Sequence, residues 1–246
     1  MNEPARVSLA RRLPFLTLEY GTQNASISGI KFNLDNLTEW NTFSRDIHNA
    51  LQTVDLDVMV PVDVKTDKYI IGSELGLTGR FTKHVCDPVV NALIAVRVPL
   101  RFADRQAIPP PATMIADIVL SKRDVTPPSV IMVIELKTLW TFDLDACITS
   151  PLDQMLLTHI EPHIGQLVAQ MRESSAIYGV LSTYQATVFL RRDSDTKFSI
   201  SQPALRHRAG SPAMPSVKQC VMGLALLANS TAPYVEAPGF RGQEAY

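Results

Sequence analysis

Residues 112–140 read ATMIADIVLSKRDVTPPSVIMVIELKTLW, and the fold turns on how their charges are placed. Two apolar runs stand either side of a polar, proline-containing break, and each carries charge where a buried strand should have none: Asp117 in the first, Glu135 and Lys137 at the end of the second. Taking a charge into an apolar layer costs several kcal/mol unless a partner compensates it. Period-two geometry places Ile131, Val133, Glu135 and Lys137 on one face of the second strand and Val130, Met132, Ile134 and Leu136 on the other. Both faces are apolar until the charged end, the pattern of a central strand covered on both sides. Ile115, Asp117 and Val119 share a face of the first strand. If the two strands pair through the loop at 121–129, the Asp117 and Glu135 carboxylates meet beside the Lys137 amine.

Two carboxylates held close repel unless a cation neutralises them, and hard oxygen ligands suit Mg²⁺ or Mn²⁺. Such a cation polarises a phosphoryl oxygen and lowers the pKa of bound water, and a neighbouring lysine can orient that water. Phosphodiester hydrolysis is the reaction this set suits. The same residues also fit an ordinary strand-end salt bridge from Lys137 to Asp117 or Glu135.

The elements around this hairpin follow from periodicity and punctuation. Trp40, Phe43, Ile47 and Leu51 predict a helix over 37–54, and Leu77, Phe81, Val85, Val89 and Leu93 predict a longer one over 73–96, with Ser73 as N-cap and Pro88 as a kink. Strands are expected at 97–102, 177–182, 186–192 and 197–201, and helices at 154–174 and 216–228. Residues 1–66 read as a helical extension, 67–192 as the core, and 193–246 as a closing strand and helix of one domain. The order gives an α/β (α+β) fold with a central mixed sheet flanked by helices.

Composition narrows the function classes. The chain has 246 residues, 46% hydrophobic and 19% charged, and a mean hydropathy of +0.07. No apolar run approaches the roughly 18 residues a bilayer span needs, so no membrane partner is expected. The arginines at 11 and 12 precede an apolar stretch broken by Pro14 and Glu19, unlike a signal peptide, so an intracellular, nuclear or cytoplasmic setting is expected. Cys86, Cys147 and Cys220 lie far apart, without disulfide or zinc spacing, and the sequons at Asn24, Asn36 and Asn229 then read as chance. A net charge of −1 leaves any nucleic-acid binding to local patches.

At these residues the chain resembles the PD-(D/E)XK nuclease superfamily, and within it the fungal nuclease-like domains often found beside a protein kinase-like domain. The resemblance spans about residues 70–192. It rests on Glu74 in SELGLTGRFTKHV, Asp117 in IADIVL, Glu135 and Lys137 in VIELKT, and Gln166 in HIGQLVAQMRESSAIYGVLSTYQATVFLRR; Ala116 stands where the family motif has proline. It implies a restriction-endonuclease-like αβββαβ core and metal-dependent nuclease activity, on DNA rather than RNA. By that resemblance Asp117 and Glu135 bind Mg²⁺ or Mn²⁺ with the Leu136 backbone carbonyl, Lys137 positions the attacking water, and Glu74 and Gln166 support the site. A catalytically inactive module that binds nucleic acid or a partner protein is the competing class.

The residues themselves add that Ile160, Ile164, Leu167, Val168 and Met171 form a buried stripe, leaving Gln166 and Gln170 together on an adjoining face. Arg80, Lys83, Lys122 and Arg191 are the candidate phosphate contacts, with Arg123, Arg192 and Arg206-His207-Arg208 as further basic groups. Tyr184 and Trp140, near strand ends, could stack a base. His159 and His163 stand four apart on one helix but lack a partner motif for zinc.

Overall fold

The computed structural model describes residues 1–22, 29–62, 67–108, 113, 115–126, 128–148, 154–211 and 213–238. In chain order the elements are β1 (Asn2–Pro4), α1 (Ala5–Ala10), β2 (Thr17–Leu18), β3 (Leu37–Glu39), α2 (Phe43–Leu51), β4 (Met59–Pro61) and β5 (Ile70–Ile71). Then come α3 (Glu74–Phe81), a π-helical turn (Thr82–Cys86), α4 (Asp87–Ala95), β6 (Leu100–Ala103), β7 (Ile118–Lys122), β8 (Ser129–Leu136) and α5 (Leu144–Ile148). The chain continues through α6 (Gln154–Glu173), β9 (Tyr178–Ser182), β10 (Ala186–Arg192), β11 (Phe198–Ile200), β12 (Ala204–Leu205) and α7 (Val217–Ser230).

A mixed sheet runs in the order β3-β11-β10-β9-β8-β7-β6, with β12 also paired to β10. β6, β7 and β8 are antiparallel neighbours, whereas β8 and β9 are parallel, joined by the crossover through α6. Helices cover both faces, which is why the central strands are apolar on both. Met132, Ile134 and Leu136 pack with α2, α3, α4 and α7, while Val133 packs with Ile160, Ile164, Leu167 and Val168 of α6. Ile131 departs from the expected alternation and joins the first layer. A bulge explains it: Leu120 pairs with Met132 but Ser121 with Val130, leaving Ile131 as the extra residue.

The expected helix at 37–54 is shorter. Leu37–Glu39 instead pairs in parallel with β11, and the Trp40 N–H donates to the Ile200 carbonyl at 2.8 Å, so the helix starts at Phe43. The expected helix at 73–96 forms with its whole stripe buried, and Ser73 Oγ caps it by accepting the Gly76 N–H at 3.2 Å. Its irregularity precedes Pro88. The π turn at 82–86 widens the helix just before Pro88, so the residue that cannot donate follows closely on the place where the regular i→i−4 ladder is already interrupted. The strand expected at 97–102 begins only at Leu100, after Arg97 at φ +61°. Ser216 caps α7 reciprocally with Gln219: Ser216 Oγ accepts the Gln219 N–H at 3.2 Å, and Gln219 Oε1 accepts the Ser216 N–H at 2.9 Å. Asn24 lies outside the described residues.

The seat of α6 is set by Gly165, whose missing Cβ lets the helix lie directly against the Ile30 carbonyl. Gly165→Ala should gain up to about 1 kcal/mol of helix propensity but lose about 1 to 3 kcal/mol by forcing helix and carbonyl apart. Urea unfolding should therefore show net destabilisation. A neutral or stabilising result would mean the contact yields easily.

Candidate active site

The site lies at one edge of the sheet, where β7 begins and β8 and β9 end. Asp117 falls one residue before β7 and Lys137 one residue after β8. Strand register brings Ile118 opposite Ile134, so the next pair outward is Asp117 and Glu135. The Leu136 N–H donates to Asp117 Oδ2 at 2.7 Å, and the Lys137 N–H to the Ser182 carbonyl at 2.9 Å, tying three strand ends together. The observed contact of Leu136 with Asp117 is through its amide hydrogen.

Glu135 is 2% exposed and Lys137 3%. Lys137 Nζ donates to Glu135 Oε1 at 2.7 Å, and Gln166 Nε2 donates to the same oxygen at 2.7 Å. Gln170 Nε2 donates to Glu135 Oε2 at 2.8 Å and to the Ile115 carbonyl at 3.2 Å. Because both of those neighbours are acceptors, the amide must point its nitrogen that way. Its Oε1 is then left buried with no hydrogen-bond partner among the described residues.

Electrostatics mark an excess of negative charge. Burial, then repulsion from Glu135 and from Glu74, push the Asp117 carboxyl up to about 7, against the opposing Leu136 N–H and the Lys137 cation. Burial also raises Glu135 above the usual carboxylate range, opposed by Lys137 and Gln170 and assisted by Glu74. Glu74, the first residue of α3, is thus within electrostatic reach of both carboxylates. These hard oxygen donors, with an orphaned amide oxygen beside them, fit a small divalent cation. Among the described residues, no three Asp, Glu, His or Cys side chains are gathered as a ready-made cage.

His163 is the neighbour that spacing alone did not attach to this site. It is 5% exposed, lies against Phe142 with ring centroids 4.3 Å apart, and is driven down to about 4 by burial and by the Lys137 charge. The signal was present in the helical register, since His163, Gln166 and Gln170 recur at three- and four-residue steps on α6. His159 is exposed, so the two histidines do not form a pair.

The four candidate phosphate contacts are not gathered here. Lys122 ends β7 opposite Ser129, and Arg191 pairs with Tyr178 at the start of β9, so both occupy the far edge of the sheet. Lys122 Nζ donates to the Asn229 carbonyl at 2.7 Å. Arg191 is held by Asp193 at 2.7 Å, with its guanidinium 4.6 Å from the Trp40 ring centroid. Arg80 and Lys83 serve Asp67, at 3.1 and 3.7 Å. Tyr184 is fully buried at φ +68° and offers no ring for stacking, while Trp140 is half-buried and donates to the Thr22 carbonyl at 2.8 Å. Among the described residues no helix is long and apolar enough to cross a membrane. Compared with protein-family models, with curated proteins and with solved structures, the chain matches none of them.

Proposed function

We propose that this protein is a metal-dependent nuclease of the PD-(D/E)XK type, hydrolysing phosphodiester bonds, with DNA the preferred substrate. The observation that carries the reading is the convergence of Asp117, Glu135 and Lys137 at one strand edge, with the Glu74 charge acting on both carboxylates and the Gln166 and Gln170 amides donating to Glu135. The element order supports an αβββαβ core: α3 and α4, three antiparallel strands β6 to β8, α6, and then β9 parallel to β8.

Asp117 and Glu135 would hold Mg²⁺ or Mn²⁺, which supplies polarisation of the phosphoryl oxygen and a more acidic bound water. The protein's own part is positional. Gln166 and Gln170 fix the Glu135 carboxylate from α6, and the Leu136 N–H fixes Asp117. Lys137, whose ammonium donates to Glu135 Oε1 at 2.7 Å, would position the attacking water beside that carboxylate. His163, uncharged at neutral pH, adds no further cation to the site.

A second reading has its own observation. Lys137 neutralises Glu135 directly at 2.7 Å, as a site retained for structure would. The protein would then be a catalytically inactive module that binds nucleic acid or a protein. Plasmid DNA incubated with Mg²⁺, Mn²⁺ or EDTA separates the two. Metal-dependent nicking is expected, lowered about 100- to 1,000-fold or more in Asp117→Asn, a substitution that keeps the acceptor for Leu136 N–H. Folded protein inert with both metals would favour the binding module.

A further inference from the structure

A cavity of about 460 Å³ opens further along the same sheet edge, lined by Arg12, Phe15, Thr17, Asp67, Arg206 and His207 among others. Its floor is tied to the β9–β10 turn: the Arg206 N–H donates to the Gln185 carbonyl at 2.8 Å, and its Nε to Gln185 Oε1 at 2.6 Å. The Leu13 N–H donates in turn to the Arg206 carbonyl at 3.0 Å, which draws Arg12 and Phe15 over the opening. From β8 through β9 and β10 to β12 is three strand spacings, about 14 Å.

Charge and shape both point to one ligand chemistry. Arg12 and Arg206 are permanent cations, and His207 adds ring nitrogens at the exposed rim. Among the described residues Asp67 is the one acid in the lining, and its carboxylate is already committed to Arg80, Lys83 and His84. Burial acts to raise it, but hydrogen bonds from His84, the Tyr69 N–H and Arg80 outweigh that and hold it well below the usual carboxylate range. The cations at the mouth are therefore not cancelled by it. Phe15 is 66% exposed, and the Arg206 guanidinium lies 5.2 Å from its ring centroid, so the wall is aromatic as well as cationic. An exposed aromatic beside cations suits a flat π-system next to an anion. The volume is in the small-ligand range.

We propose that this cavity binds a nucleoside phosphate, with the phosphate on Arg12, Arg206 and His207 and the base against Phe15. Binding of this kind requires no cleavage, so it goes beyond the nuclease reading and survives or fails without it.

Calorimetric titration in EDTA with AMP, adenosine and inorganic phosphate tests it directly. AMP should bind at least tenfold more tightly than adenosine, and Arg206→Ala should remove that advantage. Arg12→Ala, at an exposed position that does not brace the turn, should do the same without disturbing the fold. Phe15→Ala should weaken AMP at least fivefold and leave inorganic phosphate unchanged. Fluorescence anisotropy with single-stranded oligonucleotides bearing a terminal phosphate or a hydroxyl distinguishes a strand end from a free nucleotide as the source. Indistinguishable binding of AMP and adenosine, or AMP affinity unchanged in both arginine variants, overturns the proposal. Because the nuclease reading rests on plasmid nicking and the Asp117→Asn variant, the two can be rejected separately.

Discussion

Replacing Lys137 with alanine is expected to lower the free energy of unfolding by about 3 to 5 kcal/mol. The substitution leaves Glu135 buried, its two oxygens met, among the described residues, only by the Gln166 and Gln170 amides, and a neutral amide does not replace an ammonium. Glu135→Leu alone should also destabilise, because it removes the carboxylate that Lys137 meets at 2.7 Å while the lysine stays buried at 3% exposure. Combined as Glu135→Leu with Lys137→Met, the changes should cost less than their sum by at least about 2 kcal/mol, since neither charge remains to be uncompensated. Chemical denaturation at pH 7.5 in EDTA measures all three. A loss below about 1 kcal/mol in either single variant would show that water or a side-chain rotation reaches the pair, and the buried ion pair would not be the feature holding this edge together. The same expectation bears on activity assays: loss of cleavage in Lys137→Ala or Glu135→Ala is ambiguous unless folding is measured alongside.

Asp117→Asn should do the opposite and stabilise the metal-free protein above pH 7. An acid whose folded pKa is raised to about 7, from near 4 in the unfolded chain, holds its proton in the native state through that window. Stability accordingly falls as pH rises from about 4 to 7, and the penalty is complete above 7. It amounts to something on the order of 2 to 4 kcal/mol. Asparagine removes the charge and keeps the acceptor for Leu136 N–H, so its melting temperature should exceed that of the wild type at pH 8 and match it near pH 4. A divalent cation bound between the carboxylates would relieve the same repulsion. Mg²⁺ at a hundredfold excess over its Kd should stabilise the wild type by about 2 to 3 kcal/mol at pH 8, with a much smaller effect on Asp117→Asn. A wild-type melting temperature indifferent to Mg²⁺ and Mn²⁺ would falsify the cation site, whatever the fold.

Much of this site was legible because its causes are local. Alternation along 130–137 identified a strand covered on both faces with charge at one end, and hairpin geometry put Asp117 across from Glu135. The stripe from Ile160 to Met171 left Gln166 and Gln170 on one flank, and both amides now reach the Glu135 carboxylate. Helix caps at Ser73 and Ser216 are likewise decided within a turn, by which hydroxyl can accept which amide hydrogen.

Other features depended on partners distant in sequence. Leu37–Glu39 has the spacing of a helix start, but a ladder with β11 outweighs it. Tyr184 reads as an aromatic near a strand end that could stack a base, but in the fold it is fully buried, with His84 of the π turn 6.3 Å from its ring. The basic residues show the limit most clearly: Lys122 and Arg191 lie close in sequence to site strands yet at their far ends, while Arg12 and Arg206, 194 positions apart, share one cavity. Periodicity and capping are short-range and identify strands, faces and the charged edge. Which cations stand at that edge depends on strand direction and on how the N-terminal segment crosses the β9–β10 turn, and those are fixed only when the whole sheet closes its hydrogen bonds.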